Sequence, residues 1–351
     1  MFNNFYQKKK ILITGATGFK GAWLSLWLHL LKAKVYGIGF NPNRNRNLFY
    51  KLRLAKKIKL YNLDIKDYKR LQKLIKKINP EIVFHMAAQP LILEGYKKPY
   101  ETYLINSIGT LNIIDILRKL KNIRSIVCVT SDKCYQSNNS TKGFIESDKL
   151  GGEDPYSGSK ANAEIIVNTY LKSFFNKKKC GLASARAGNV IGGGDWSKDR
   201  LIPDSIKALI SNKTIVLRNP KFNRPWQHVL EPLNGYLILA KSLYQNPKKF
   251  SGSWNFGSEK NTVTDVLTIV KKIINIWGKG KIKYNKTNKY YEQKNLQLNI
   301  SKSKKYLNWN PRLSIMKSVE MTINWYKQIL VDKKKPDKVT IEQILSFMNE
   351  K

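Results

Sequence analysis

Residues 9–40 constrain this chain more than any other stretch. An apolar run, "KKILITG", leads into "GATGFKG", then into the apolar "AWLSLWLHLLKA", then into a second apolar run, "KVYGIGF". Gly15, Gly18 and Gly21 fall at G-x-x-G-x-x-G spacing. In a strand–turn–helix–strand unit the first glycine permits the tight turn. The second lets backbone N–H groups approach a pyrophosphate, and the third lets the helix pack on the sheet. Glycine spacing carries little information alone and much more in this context. The stretch predicts a dinucleotide-binding βαβ unit in which Gly15, Thr17, Gly18, Phe19, Lys20 and Gly21 hold the cofactor.

One part of that unit is absent. An acidic residue usually ends the second strand and holds the adenosine ribose. Here the chain runs "GIGFNPNRNRN". Asn41 or Asn43 can hydrogen-bond a ribose, whereas Arg44 or Arg46 would favour a 2′-phosphate. The loop leaves NAD and NADP both open.

The alternation continues. "KIKLYNLDI" reads as a strand that ends in Asp64 and Ile65, placed for adenine. "KDYKRLQKLIKKI" reads as a helix, and "EIVFHMAAQ" as a buried strand carrying Ala87, Ala88 and Gln89. A helix over about 101–120 puts Leu104, Ile108 and Leu111 on one face. "SIVCVTS" is a strand, "DPYSGSKANAEIIVNTYLKSFF" a helix and "GLASARAGNVIG" a strand. Strands alternating with helices predict an α/β fold, a Rossmann-type doubly wound parallel sheet. We expect an NAD-binding domain over 1–190. Residues 191–351 should form mainly a smaller, interleaved substrate-binding region, with segments near 220–240 and 260 returning to the first domain. Ligands lie at the carboxyl ends of such strands, which is where "TSDKCY", residues 130–135, stands.

Tyr156 and Lys160 form a Y-x-x-x-K pair, and positions i and i+4 share a helix face. An ammonium beside a phenol favours phenolate. Such a Tyr can take a proton from a sugar hydroxyl while hydride leaves the same carbon. Y-x-x-x-K is weak alone and strong when preceded by the glycine turn and by Ser131 at a strand end.

Composition raises one rival. The chain carries 64 Lys+Arg against 24 Asp+Glu, a net charge of +40, and a strongly basic protein suggests nucleic acid. Only 11 of those cations are Arg, the residue that base and phosphate readers favour. The lysines are scattered, and Lys, Asn and Ile all have A/T-rich codons, so no nucleic-acid partner is expected. Cys128, Cys134 and Cys180 have no metal spacing, and no metal site is expected. Together with the absence of a signal-peptide core or a run of about 20 apolar residues, they point to a reducing cytoplasm and no membrane.

The chain resembles the extended short-chain dehydrogenase/reductases, the NAD-dependent epimerase/dehydratase family. "GATGFKG", "AAQPL", "VTSDKCY", "DPYSGSKANAE", "RAGNVIGGGDW", "DRLIPD", "RPWQHVLEPL", "WNFG" and "LNWNP" carry the resemblance, from about residue 8 to about 330. Within the family these motifs resemble those of nucleotide-sugar 4,6-dehydratases. The resemblance implies bound NAD, a CDP-glucose substrate and a homo-oligomer, a dimer or a dimer of dimers built on the helices at 101–120 and 156–175. It also implies a place ahead of the deoxysugars of lipopolysaccharide O-antigen. The cytidine preference rests on it wholly.

In the implied mechanism Tyr156 deprotonates the C4 hydroxyl as hydride passes to NAD⁺, and Ser131 holds the same oxygen. The 4-ketone acidifies C5–H, a base removes that proton, an acid protonates the departing C6 hydroxyl, and hydride returns to C6. Asp132 and Lys133 are the acid and the base. Relatives carry Asp-Glu there, so Lys133 must be neutral to act, which needs burial or nearby positive charge. Asp132 must keep its proton. The resemblance further places Asn106 and Gln89 by the cofactor, and Gln89, Asn189, Trp196, Arg200, Leu201, Arg218, Arg224, His228 and Glu292 by the substrate. Ala16, Leu93, Glu94, Gly95 and Tyr291 depart from the family pattern, away from the catalytic set. The alternatives are an epimerase or reductase of the same superfamily, which needs no C6 acid, and a basic nucleotide- or nucleic-acid-binding protein without catalysis.

Overall fold

The structure is a computed structural model that describes residues 2–40, 47–137, 143–259, 264–285 and 297–350. Seven strands form its central sheet: β1 (Lys10–Thr14), β2 (Lys34–Gly39), β3 (Lys59–Asn62), β4 (Ile82–His85), β5 (Ser125–Val129), β6 (Gly181–Arg186) and β7 (Gly252–Asn255). All pairings are parallel and the order is β7-β6-β5-β4-β1-β2-β3. The order reverses between β1 and β4, and a crevice opens at the carboxyl ends there.

Alternation along the strands separates two cores. Ile11, Ile13, Ile82, Phe84, Val127, Val129, Ala183 and Ala185 point to one face. Leu12, Val83, Ile126, Cys128 and Leu182 point to the other. Side chains on a strand alternate faces, so a sheet covered on both sides reads as unbroken apolar runs.

The covering helices run in chain order. α1 (Phe19–Leu30) packs on the first face, and α2 (Tyr68–Ile78) on the second. α3 (Pro99–Tyr103) passes through a π turn, Leu104–Ile108, into α4 (Gly109–Leu117), and α5 (Pro155–Tyr170) follows; α4 and α5 cover the second face. α6 (Leu201–Ile210) lies outside the sheet, and α7 (Leu230–Gln245) returns to the first face. α8 (Val266–Trp277) packs against α9 (Ile315–Leu330), with α10 (Pro336–Asn349) beyond. Among the described residues no helix is long and apolar enough to cross a membrane.

Small two-stranded pairings lie outside the central sheet, and Val190, Ile191 and Arg224 from them line the crevice. Val190–Ile191 pairs with Gln227–His228, Ile215–Leu217 with Ile282–Tyr284, and Asn223–Arg224 with Thr264–Asp265. The "GGGDW" loop is fixed from below. Trp23 Nε1 donates to Gly193 O at 3.0 Å, and Tyr326 Oη donates to Asp195 O at 2.5 Å. A side chain at Gly193 would collide with the Trp325 ring at 2.0 Å.

Candidate active site

β5 delivers the first group. It ends at Val129, and Ser131 begins a 3₁₀ turn over Asp132–Cys134. Ser131 Oγ accepts from the Lys133 N–H at 3.3 Å and donates to Asp132 Oδ1 at 3.0 Å. Ser131 and Asp132 are buried, and Lys133 is half-buried on the crevice.

α5 delivers the second group. Its N-terminus is set locally: Asp154 accepts from the Ser157 N–H at 3.0 Å, and Pro155 opens the first turn, both standard helix-start chemistry. A Cβ on Gly158 would meet Tyr103 Oη at 2.4 Å, so that ring would have to move aside for any larger residue. One turn apart, Tyr156 and Lys160 reach the β5 end. Ser131 lies beside the Tyr156 phenol and favours its phenolate, and Lys160 Nζ donates to Val129 O at 3.4 Å.

The electrostatics refine the expectation for the phenol. Burial pushes Tyr156 up, outweighing the lowering influence of Ser131, and leaves it at about 12. Within the chain alone, Lys160 does not bring it toward neutrality. Lys160 is drawn down by burial to about 8, against the raising charge of Glu164.

These groups share one cavity of about 570 Å³ with Phe19, Lys20, Ala88, Asn189, Arg200, Leu201, Arg218 and Arg224. The cavity is rich in cations. Burial, with Lys160 and Arg200 nearby, draws Lys20 down to about 7. Arg200 pairs with Asp195 at 2.9 Å, Arg218 is exposed, and Arg224 is buried. Asn189 holds a positive φ of 49°, and among the described residues its buried Nδ2 has no partner. Asn189 is one of the residues that line the cavity.

The glycine turn fits a pyrophosphate. Gly15 takes φ 72°, and a Cβ there would lie 2.7 Å from Ala87 N. A Cβ on Gly21 would lie 2.1 Å from Gly15 O, so the third glycine lets α1 start against the turn. Gly18 caps α1 with no side-chain bond to its first N–H groups, which leaves them facing outward for an anion. Thr17 is buried under Gly39.

Several expected contacts are committed elsewhere. Asn106 accepts from Gln89 N at 2.8 Å and donates to Gln89 O and Ser159 Oγ, so it ties the β4 end to α5 and does not face the cavity. The Gln89 side chain donates to Leu91 O and Thr102 Oγ1, both at 3.0 Å. His228 is wholly buried edge-on to Trp23, and burial draws it down to about 3. Trp196 packs on Tyr326 and under the Lys51 ammonium. In each case another chain segment engages the residue's polar or aromatic surface. Asp64 accepts from Lys66 N at 2.9 Å, Ile65 is buried against Gly109, and Ala87 is half-buried beside the turn. Asn41 and Glu292 lie outside the described residues.

Three residues of consequence were not anticipated. Gly188 lies against the Asp132 carboxylate, where a Cβ would approach Oδ2 to 1.8 Å. Glu164 and Arg186 form a buried pair behind Lys160, at 2.6 Å. Glu164 extends the Tyr156–Lys160 series by one turn, and Arg186 is a lone cation in an apolar strand; both signals were present in the sequence.

The sequence model of the family described as GDP-mannose 4,6 dehydratase matches residues 12–322. The chain is 42% identical over 330 residues to CDP-glucose 4,6-dehydratase of Salmonella typhimurium, covering 92% of each. It is 28% identical to dTDP-D-glucose 4,6-dehydratase of Dictyostelium discoideum over 76% of this chain and 62% of that one. Among solved structures, an epimerase from Methanothermobacter thermautotrophicus superposes with a TM-score of 0.83 at 20% identity, covering 94% and 96% of the two chains. The dTDP-glucose 4,6-dehydratase of Bacillus anthracis in complex with NAD superposes with a TM-score of 0.74 at 23% identity, covering 91% and 96%.

Proposed function

The chain belongs to the GDP-mannose 4,6-dehydratase family, and from that premise we propose that it converts CDP-glucose to CDP-4-keto-6-deoxyglucose and water with bound NAD. The observation that carries this is one cavity wall holding two kinds of machinery. Ser131, Tyr156 and Lys160 suit oxidation at C4, and Asp132 with Lys133 suits loss of the C6 hydroxyl. An epimerase has no use for the second pair.

The glycine turn, with Lys20, Asp64, Ile65, Ala87, Ala88, Tyr156 and Lys160, would hold the cofactor. The chemistry NAD supplies when bound is a store for one hydride between C4 oxidation and C6 reduction, and a positive charge that favours phenolate. Ser131 orients the C4 oxygen and Tyr156 takes its proton. Lys160, as an ammonium, stabilises the phenolate. Lys133 removes the C5 proton, and Asp132 gives a proton to the C6 hydroxyl, which leaves as water. Arg200, Arg218 and Arg224 suit a diphosphate, since a guanidinium binds phosphate through two bonds. Asn189 Nδ2 supplies a further donor, and Leu201 an apolar contact.

The test is a panel of CDP-, dTDP-, GDP- and UDP-glucose without added reductant, followed by NMR. Deuterium placed at C4 of CDP-glucose should appear at C6 of a 4-keto product. Failure of that migration, or faster turnover of another nucleotide, would overturn the assignment.

Asp132 depends on Gly188 for its place. Gly188→Ala should displace the carboxylate and lower kcat by about 10²-fold, as roughly 1 Å of misplacement does, while NAD content is unchanged. Steady-state kinetics and released-cofactor assay check both halves.

A homodimer also fits. Tyr100 (76%), Ile108 (42%), Ile165 (52%) and Phe174 (41%) expose apolar surface along α3, the π turn, α5 and its extension. Burial of such a patch favours association. Ile165→Asp should convert a dimer to monomer in sedimentation, and an unchanged dimer would place the interface elsewhere.

A further inference from the structure

Glu164 and Arg186 are enclosed behind the site, with side chains only 1% and 2% exposed. Both carboxylate oxygens of Glu164 are engaged. Oε1 accepts from the Thr130 hydroxyl. Oε2 accepts from Arg186 Nη2 at 2.6 Å, from Ser184 Oγ at 2.6 Å and from Ser253 Oγ at 3.2 Å. Burial alone would raise this acid, but Arg186 and the hydroxyls more than offset it and hold Glu164 below its ordinary range. A buried ion pair seldom earns its place through stability, since apolar replacements are often as good or better. Another use is called for.

Its placement supplies one. Lys160 and Glu164 are one turn apart on α5 and straddle a single peptide of the β5 end. Lys160 Nζ donates to Val129 O, and Glu164 holds the hydroxyl of Thr130, the next residue. Ser131 follows directly. Arg186 reaches the other way, donating to Tyr135 Oη at 2.7 Å and Glu146 O at 3.0 Å. Tyr135 in turn donates to Asn255 Oδ1 at 2.8 Å. The negative end of the pair therefore sits by Lys160, and the positive end is tied into the far side of the strand ends.

We propose that the Glu164–Arg186 pair positions the catalytic set: Glu164 keeps Lys160 an ammonium and pins Thr130 so that Ser131 meets Tyr156, and Arg186 keeps Glu164 ionised and in place. This deepens the reading above, in which Lys160 must be charged. Glu164 and Arg186 touch no reacting atom, so they are positioning residues.

The groups facing Lys160 come from several elements. They are Glu164 and Tyr156 on α5, Lys20 from α1, His85 from β4, Cys128 on β5 and Cys134 after it. His85, drawn down to about 3 by burial, and the two buried thiols, pushed up, are neutral near pH 7. Lys20, at about 7, titrates near the same window as Lys160. Removing the Glu164 charge lowers the Lys160 proton affinity, so its ammonium is lost at lower pH. Activity that needs that ammonium then fails earlier as pH rises.

Competitive reductive methylation of the full chain, read peptide by peptide across pH, reports each lysine separately and needs no turnover. In the unaltered chain Lys160 should titrate near 8. In Glu164→Gln the midpoint should fall by about one unit, a tenfold change in proton affinity, and the alkaline limb of kcat/KM should fall with it. Glu164→Asp keeps the charge and should restore most of the limb. The double substitution Glu164→Met with Arg186→Met removes both charges, so it guards against misfolding of the single variant; its Lys160 midpoint should fall as well. A purely structural pair would scale the rate at every pH without moving the midpoint, and that result overturns the proposal. Failure of both variants to fold also overturns it, since the pair would then be a folding requirement. If the unaltered chain does not turn over CDP-glucose, the substrate reading fails and the methylation midpoints still decide this proposal.

Discussion

Tyr156→Phe is expected to lower kcat for CDP-glucose by about 10³-fold, within the range for loss of a positioned proton acceptor. The ring is only 8% exposed and stays in place without its oxygen. Ser131 still donates to Asp132 at 3.0 Å, so no buried hydroxyl is orphaned. The fold should therefore lose no more than about 1 kcal/mol, the usual worth of one hydrogen bond. Product formation by NMR, NAD content after denaturation and a thermal melt separate the effects. A variant within tenfold of the unaltered rate would remove Tyr156 from the proton transfer.

Lys133→Met should leave C4 chemistry in place and stop the next step. The turn that presents Lys133 is held by its backbone, whose N–H donates to Ser131 Oγ at 3.3 Å. A Met of similar length keeps that bond and the half-buried packing while removing the amine. Exchange of the C5 proton with solvent deuterium should fall by about 10²–10⁴-fold, with NAD still bound. Lys133 shares its cavity with Lys20, Lys160 and Arg200. Exchange at the ordinary rate in this variant would transfer the base role to another group.

Much of this fold is written locally. The glycine turn is legible because a Cβ on Gly15 or Gly21 would come within about 3 Å of Ala87 or Gly15 backbone, and only glycine avoids that. The strands are legible as apolar runs because both sheet faces are covered. "TSDKCY" is legible because a parallel sheet puts strand ends at the ligand. What escaped the sequence depends on neighbours distant along the chain. Nothing around Gly188 announces that Asp132 lies against it. Asn106 has the residue type of a ligand contact, yet Gln89 and Ser159 take its amide. His228 stands in a motif-rich stretch, yet the fold drives it under Trp23. Arg186 in "GLASARAG" signals a buried cation, but its partner on α5 emerges only when β5 and β6 pair.

The late arrival of β7 has a consequence for synthesis. A ribosome releases Ser131, Tyr156, Lys160 and Arg186 before it reaches Gly252–Asn255. Until then the nascent sheet ends in β6, with the ladder positions of Ala183–Arg186 open, and an unpaired edge strand invites other chains. Ser253, which shares hydrogen bonds with both Arg186 and Glu164, is also still missing. A product that stops short of this strand would carry the whole catalytic set and still be a candidate for chaperone capture or aggregation.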